Sequence, residues 1–214
     1  MPRRVDATAV LNRLQALYPH AKTELIYTNP FTLLVAVVLS AQSTDKGVNK
    51  ATAALFAVAD TPQKMVALGV AGVEGYIRQL GLYRTKAKNV VALSEALVNH
   101  HGSAVPNDQA ALEALPGVGR KTANVVRAEL WGEPTLAVDT HVFRVSRRLG
   151  LARGITVQAV EDELLAVVPL HQRPAAHHWL ILHGRYVCTA RAPQCGTCPL
   201  AALCPQMGVN VKTV

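Results

Sequence analysis

Four cysteines lie close together in the sequence, with the spacing C-x6-C-x2-C-x5-C. They are Cys188, Cys195, Cys198 and Cys204. Structural disulfides are rare in a reducing cytosol, whereas four thiolates spaced this closely can converge on one metal centre. Zinc and a four-iron cluster both accept four thiolates, and the spacing alone does not separate them. We therefore predict a metal centre here, with four unrelated buried thiols as the alternative.

A glycine-containing turn, Pro116-Gly117-Val118-Gly119, separates two predicted helices. The first is capped by Pro106-Asn107-Asp108, and the second starts near Arg120. Glycine allows positive φ and has no side chain, so backbone N–H groups at the start of the second helix can approach an anion closely. This helix-hairpin-helix pattern predicts phosphate binding, and the alternative is an ordinary turn between two helices.

The elements that position these residues are predicted to be helices. Apolar residues recur every three or four positions in residues 10–17, 48–58 and 90–98, as on one helical face. About ten short helices are expected, one of them starting at the Thr61-Pro62 pair. The longest apolar stretch, Phe31 to Ala41, is shorter than the ~20 residues of a membrane span and is predicted to be a buried core helix.

The composition indicates a globular protein with a polyanionic partner. Half of the residues (50%) are apolar and 17% are charged, which excludes a disordered chain. The net charge of +8 and the pI of about 9.6 favour nucleic acid as a partner. The start of the sequence shows neither a secretory signal nor a lipid anchor, so a cytoplasmic protein is expected.

Several motifs together resemble one family of enzymes. The segment from Leu115 to Ala123, followed by Val138-Asp139-Thr140-His141-Val142, resembles the signature of the helix-hairpin-helix DNA glycosylases. The likeness to the bacterial endonuclease III family of this superfamily covers nearly the whole chain. The other motifs on which this likeness rests are the cysteine spacing, Leu39-Ser40-Ala41-Gln42, Gly81-Leu82-Tyr83 and the run from His178 to Gly184.

The resemblance implies an all-α, two-domain fold with a C-terminal [4Fe-4S] cluster loop rather than a zinc site. A six-helix domain with the hairpin is expected at 23–134, and a discontinuous iron–sulfur domain at 1–22 and 135–214. The implied activity is excision of oxidised pyrimidines from double-stranded DNA and cleavage of the abasic site by β-elimination. A monomer that associates with the nucleoid, without a membrane partner, is expected.

The resemblance also assigns the catalytic residues. Lys121 supplies the amine that attacks the sugar C1′ and forms a Schiff base, whereas such a lysine alone would usually be a phosphate contact. A free lysine is almost entirely protonated at neutral pH, so partial desolvation, the helix start and Arg120 are expected to favour the neutral amine. Asp139 is the essential acid, and its position before a predicted helix also fits an N-cap.

Further residues are predicted to contact DNA. By the same resemblance, Gln42 and Leu82 are expected to enter the duplex, and Ser40, Thr44, Asp45 and His141 are expected to lie near the extruded nucleotide. The phosphate contacts are expected from Gly117, Val118, Gly119, Arg120, Arg144 and Arg191. A solvated basic face would explain Arg144 equally well.

Two other functions are alternatives to this one. The first is a mismatch adenine glycosylase of the same superfamily, but those relatives lack a lysine at position 121. The second is a non-catalytic DNA-binding module that keeps the hairpin for phosphates and the cluster for folding. The presence of both Lys121 and Asp139 argues against it.

Overall fold

The computed structural model describes residues 5–209, so residues 1–4 and 210–214 of the predicted iron–sulfur domain lie outside the described part. Within residues 5–209 there are ten α-helices, two short 3₁₀ helices and no strand, which confirms the predicted all-α class. The α-helices are α1 (Ala7–Leu17), α2 (Pro30–Leu39), α3 (Asp45–Val58), α4 (Pro62–Ile77), α5 (Tyr83–His100), α6 (Gln109–Glu113), α7 (Arg120–Trp131), α8 (Thr140–Arg148), α9 (Val157–Val167) and α10 (Arg173–Tyr186).

The chain divides into two compact units. Residues 24–131 form one unit, and the described residues before and after it, 5–23 and 132–209, form the other. The first carries α2 to α7, and the second carries α1 and α8 to α10. The boundaries predicted from the sequence are 22/23 and 134/135, whereas those of the two units are 23/24 and 131/132.

Helix α2 forms the centre of the 24–131 unit. Asn29 and Thr32 make a capping box at its start, and Pro30 occupies the first turn, where its missing N–H costs nothing. All residues from Phe31 to Leu39 are buried, which confirms the predicted core helix. None of the helices in the described part of the chain is long and apolar enough to cross a membrane.

Side-chain caps start other helices where the sequence predicts them. The Thr61 hydroxyl accepts from the Lys64 N–H at α4, and the Asp108 carboxylate accepts from the Ala111 N–H at α6. Among the glycines of α4, Gly69, with φ +67°, interrupts the helix. Gly72 and Gly75 lie within the helical segment after it.

In the other unit, α1 packs against α10, and α10 packs against α8. The buried core includes Leu14 of α1, Val145 of α8 and Leu180 of α10. Gly184 of α10 permits this packing, because a Cβ at that position would lie 3.0 Å from Val145 Cγ2. These helices carry the residues that surround the four cysteines.

Candidate DNA interface and metal centre

The predicted helix-hairpin-helix is present between α6 and α7. The Val118 N–H donates to the Leu115 carbonyl over 3.0 Å and closes the turn, in which Gly117 has a φ of +78°. The Gly119 carbonyl accepts the first helical hydrogen bond of α7 from Ala123 N–H, also over 3.0 Å. Gly119 is therefore the N-cap residue of α7, and the first N–H groups of that helix follow it.

The two glycines of the hairpin have different roles in the structure. A Cβ at position 117 would lie 2.9 Å from Asn89 Cβ of α5, so an internal contact and the positive φ both require glycine there. A Cβ at Gly119 would meet no described atom within 4 Å. Position 119 is therefore the one of the two that borders open space, where an anion could approach.

Lys121 is the second residue of α7, and its side chain is exposed. It lies on the face opposite Ala123 and Val126, which are buried in the core of the 24–131 unit. Arg120 beside it is also exposed. The 24–131 unit therefore does not supply the partial desolvation that the sequence predicts for Lys121.

Gln42 and Leu82 occupy two neighbouring turns and share an uncommon backbone conformation. Their φ values are +53° and +58°, in the left-handed region that non-glycine residues rarely adopt. Both side chains are exposed, Leu82 by 61%. A Cβ added at Gly81 would lie 3.9 Å from the Gln42 carbonyl oxygen, so the two turns lie close together.

Three of the four residues predicted to lie near an extruded nucleotide surround the Gln42 turn. The Ser40 hydroxyl donates to the Val37 carbonyl over 2.8 Å, and the Thr44 hydroxyl caps α3 by accepting from Gly47 N–H. Asp45 is the first residue of α3 and is half-buried. The structure therefore brings these residues together with Gln42, and two of them also stabilise the helix ends.

Lys86 of α5 is a charged residue that is only 5% exposed. Its ammonium donates to the Ser43 hydroxyl over 2.7 Å, and burial lowers the pKa of this side chain. The periodicity contained a signal for its burial, because Lys86 lies four residues before Val90 on the face that also carries Leu93 and Leu97.

Asp139 is the N-cap of α8, as its sequence position predicts. Its Oδ1 accepts from the Val142 N–H over 2.7 Å, and the residue is half-buried. A capping carboxylate uses one oxygen in this way, and the second oxygen remains an acceptor.

Arg144 was predicted to contact DNA, but its guanidinium makes several hydrogen bonds within the protein. It donates to the carbonyls of Gly184 at 2.8 Å and Cys188 at 3.2 Å, and lies 3.2 Å from His141 Nδ1. Arg191, in contrast, is exposed between the first two cysteines. Of these two arginines, Arg191 has the surface position that a phosphate contact needs.

The four cysteines line one pocket. None of them forms a disulfide. Two of the sulfurs face backbone donors, with Leu200 N–H 3.4 Å from Cys198 Sγ and Gln206 N–H 3.3 Å from Cys204 Sγ. Four thiols around one pocket, with N–H groups that can stabilise thiolate charge, fit a four-thiolate cluster.

The electrostatics of the pocket favour a bound cation. Burial raises the pKa of the Cys198 and Cys204 thiols, and the neighbouring cysteines raise it further. Thiolates at these positions need positive charge, which a coordinated metal supplies.

Arg148, the last residue of α8, forms hydrogen bonds with the cysteine loop. Its guanidinium donates to the carbonyls of Thr189 at 2.7 Å and Ala190 at 3.0 Å, and lies 3.5 Å from Cys188 Sγ. Its own carbonyl accepts from Met207 N–H over 3.2 Å. These partners lie far from Arg148 in the sequence and are visible only in the three-dimensional structure.

His183 of α10 lies beside the same pocket and is 1% exposed. Its Nδ1 is 3.1 Å from the Tyr18 hydroxyl, and its Nε2 is 3.6 Å from Cys198 Sγ. Burial lowers the pKa of His183 to about 4.

A helix-hairpin-helix with an exposed lysine directly after it, together with a loop of four thiols, defines the class of iron–sulfur DNA glycosylases. The family model of the HhH-GPD superfamily of base excision DNA repair proteins matches residues 35–170, and that of the iron–sulfur binding domain of endonuclease III matches residues 188–204. The chain belongs to the endonuclease III family of this superfamily. Its cofactor is an iron–sulfur cluster, as predicted, and not zinc.

The relatives match over most of their length. Endonuclease III of Rickettsia conorii is 58% identical over 186 residues, which cover 87% of this chain and 89% of the relative. Endonuclease III of Escherichia coli K12 is 55% identical over 195 residues, covering 91% and 92%. A solved structure of a trapped endonuclease III–DNA covalent intermediate is 45% identical, with a TM-score of 0.89, and covers 94% of this chain and 96% of that one.

Proposed function

We propose that this base excision repair enzyme, a DNA glycosylase with AP lyase activity, excises oxidised pyrimidines from double-stranded DNA through a Schiff base on Lys121. The observation that carries the proposal is the position of Lys121. Its side chain is exposed in the first turn of α7, two residues after Gly119, where the backbone borders open space. A phosphate held by the N–H groups at this helix start would place the neighbouring sugar within reach of the amine.

The reaction assigned to Lys121 has two stages. The neutral amine attacks the sugar C1′, the C1′–N bond to the base breaks, and the base leaves with a proton. After the sugar ring opens, the resulting iminium makes a C2′ proton acidic, and its removal expels the 3′ phosphate by β-elimination. Because Lys121 is exposed in the free protein, bound DNA supplies the desolvation that favours the neutral amine.

Asp139 has a helix-capping role and a proposed catalytic role. One carboxylate oxygen caps α8, which fixes the side chain. We assign the second oxygen to the reaction, where it stabilises the positive charge that develops on the sugar or accepts a proton from Lys121.

Gln42 and Leu82 are assigned to the space that the extruded nucleotide leaves. The proposal is supported by the exposure of both side chains on two turns that lie close together. Ser40, Thr44 and Asp45 beside the first turn are assigned to the damaged nucleotide. The hairpin residues 117–120 and the exposed Arg191 are assigned to phosphates.

Cys188, Cys195, Cys198 and Cys204 are assigned as the ligands of a [4Fe-4S] cluster, which when bound cross-links the 188–204 loop. We assign the cluster to the 135–214 part of the chain together with 1–22, and the hairpin to the domain 23–134. The partner is duplex DNA that contains an oxidised pyrimidine or an abasic site. A monomer in the cytoplasm, associated with the nucleoid, completes the proposal.

Borohydride reduction on abasic-site duplex tests the nucleophile. The wild type is expected to form a covalent adduct, and Lys121→Gln is expected to form none while it keeps affinity within about tenfold, since one exposed ionic contact is worth about 1 kcal/mol. Lys50→Gln, at an exposed lysine of α3, is the matched control and should trap normally. An adduct in Lys121→Gln would place the nucleophile elsewhere.

A substrate panel tests the base specificity and the role of Asp139. Duplexes with thymine glycol should be processed, whereas adenine opposite 8-oxoguanine should not be. Asp139→Asn keeps an oxygen that can cap α8 but loses the charge, so excision should fall far more than DNA affinity. Normal excision by Asp139→Asn would leave only the capping role.

A further inference from the structure

Tyr18, His183 and Cys198 form a continuous polar chain in the unit of residues 5–23 and 132–209. The Tyr18 hydroxyl lies 3.1 Å from His183 Nδ1, and His183 Nε2 lies 3.6 Å from Cys198 Sγ. The two rings also meet edge to face, with centroids 6.1 Å apart and an interplanar angle of 72°. His183 is thus held between a hydroxyl on one side and a cysteine sulfur on the other.

The chemistry of the sulfur decides where the imidazole hydrogen must be. A metal-ligating thiolate has no hydrogen and can only accept, so the contact with His183 is attractive only when Nε2 carries the hydrogen. The ligand role of Cys198 belongs to the proposed function, on which this step rests. With the hydrogen on Nε2, the other ring nitrogen, Nδ1, can accept from the Tyr18 O–H.

The sulfur and the Tyr18 hydroxyl together favour one tautomer of His183, because a hydroxyl that donates to Nδ1 leaves the ring hydrogen on Nε2. If Nδ1 carried the hydrogen, the Nε2 lone pair would face the negative sulfur, and the tyrosine would have to accept instead of donate. A donor on one ring nitrogen commonly fixes the ring of a histidine near a metal and determines what the other nitrogen does.

We propose that Tyr18 and His183 raise the reduction potential of the cluster by holding an N–H···S hydrogen bond on Cys198. A donor to a ligand sulfur stabilises the more negative, reduced state of a cluster, so the hydrogen bond shifts the potential upward. His183 does this at a buried position, where water does not compete for the sulfur. The side chains of Tyr18 and His183 touch the ligand, not the reacting DNA, and they are tuning residues.

The test is the one-electron potential of the cluster, measured by voltammetry on the full-length, cluster-loaded protein. His183→Phe keeps a ring but removes the donor, and should lower the equilibrium constant for reduction by about three- to tenfold, where tenfold is 59 mV. His183→Gln places an amide N–H near the position of Nε2 and should restore most of the potential. Tyr18→Phe should cause a smaller shift in the same direction, because the ring hydrogen is then free to move to Nδ1.

Controls separate this inference from the ligand assignment and from general disturbance. Tyr76→Phe removes a hydroxyl from a half-buried tyrosine in the 24–131 unit and should leave the potential unchanged. Iron content is measured first for every variant. Full iron content in Cys198→Ala would contradict the ligand role on which the inference rests.

The inference itself is overturned if His183→Phe retains full iron content and the wild-type potential. If His183→Phe loses iron, Tyr18→Phe and His183→Gln decide. Two results would then contradict the hydrogen-bond role. One is a wild-type potential in Tyr18→Phe. The other is a potential in His183→Gln that is as low as in His183→Leu, an iron-loaded variant without a donor at this position.

Discussion

The ammonium of Lys86 donates to the Ser43 hydroxyl over 2.7 Å and so joins the first turn of α5 to the turn that carries Gln42. The backbone N–H of Lys86 donates to the Leu82 carbonyl over 3.0 Å. One buried residue therefore contacts both turns whose exposed side chains are proposed to enter the duplex. Its placement gives Gln42 and Leu82 a fixed separation before DNA binds.

Lys86→Met is expected to reduce base excision while it leaves the fold stable. Methionine retains the apolar length of the side chain but loses the hydrogen bond and the buried charge, so the free energy of unfolding at pH 7 should change by no more than about 1 kcal/mol. The rate of nucleotide extrusion, followed with 2-aminopurine in the duplex, should fall. Ser43→Ala, which removes only the acceptor, should show the same effect in weaker form. Normal extrusion in both variants would contradict the positioning role.

The pH dependence of stability provides a second measurement on Lys86. Because burial lowers the pKa of Lys86 in the folded state, the unfolded chain binds more protons than the folded one in the interval below the ordinary lysine pKa of 10.5. The free energy of unfolding contributed by this group therefore rises as the pH is raised through that interval. Urea titrations should show a rise in the wild type relative to Lys86→Met, and parallel pH profiles would argue against burial of the charge.

Leu82→Gly should separate stability from activity. Leucine at φ +58° is strained, and glycine adopts that conformation freely, so the variant should unfold no more easily than the wild type and could gain up to about 1 kcal/mol. Excision from duplex DNA should nevertheless fall, because no side chain remains to fill the stack. Excision from single-stranded DNA, where no stack must be filled, is the internal control. An equal loss on both substrates would assign Leu82 a different role.

The hairpin is best tested at Gly119, because Gly117 also contacts Asn89. Asparagine and aspartate both cap helices well, so Gly119→Asn and Gly119→Asp should fold normally. Gly119→Asn should weaken DNA binding by blocking close approach, with little change in the slope of log affinity against log salt. Gly119→Asp should weaken it further and change that slope by adding negative charge.

Arg191→Ala is the matched comparison for the salt dependence of Gly119. It removes one exposed cation from the cysteine loop and should reduce the magnitude of the salt slope by up to about one. Affinity of both Gly119 variants equal to that of the wild type would mean that the hairpin does not hold the DNA.

Arg148→Met should loosen the cysteine loop. It removes the donors to the Thr189 and Ala190 carbonyls, and a hydrogen bond from a charged group contributes about 1.5–3 kcal/mol. Iron should be lost faster on heating or in the presence of a chelator. Arg153→Met, at an exposed arginine after α8, should behave as the wild type. Equal iron retention in both variants would show that the loop does not depend on Arg148.

The sequence predicts best what local chemistry determines. The caps at Thr61, Asp108 and Asp139 depend on side chains three residues from their partners, and the structure places all three as expected. The cysteine loop is similarly local. The left-handed turn at Leu82 is different, because leucine has no intrinsic preference for that conformation and only the adjacent Gly81 signalled a turn.

Partners that are distant in the sequence could not be predicted. Arg144 and Arg148 resemble a solvated basic face by spacing alone, and their inward direction depends on carbonyls about 40 residues later. Tyr18 and His183 are separated by 165 positions. No local pattern encodes such contacts, because they arise from how α1, α8 and α10 pack.

The attachment of the cysteine loop to α8 couples the two ends of the loop. Arg148 holds the start of the loop through its guanidinium and the segment after Cys204 through its own carbonyl, which accepts from Met207 N–H. These contacts offset part of the entropy of closing the loop. A change that displaces the end of α8 should therefore move the first and the last of the four cysteines together.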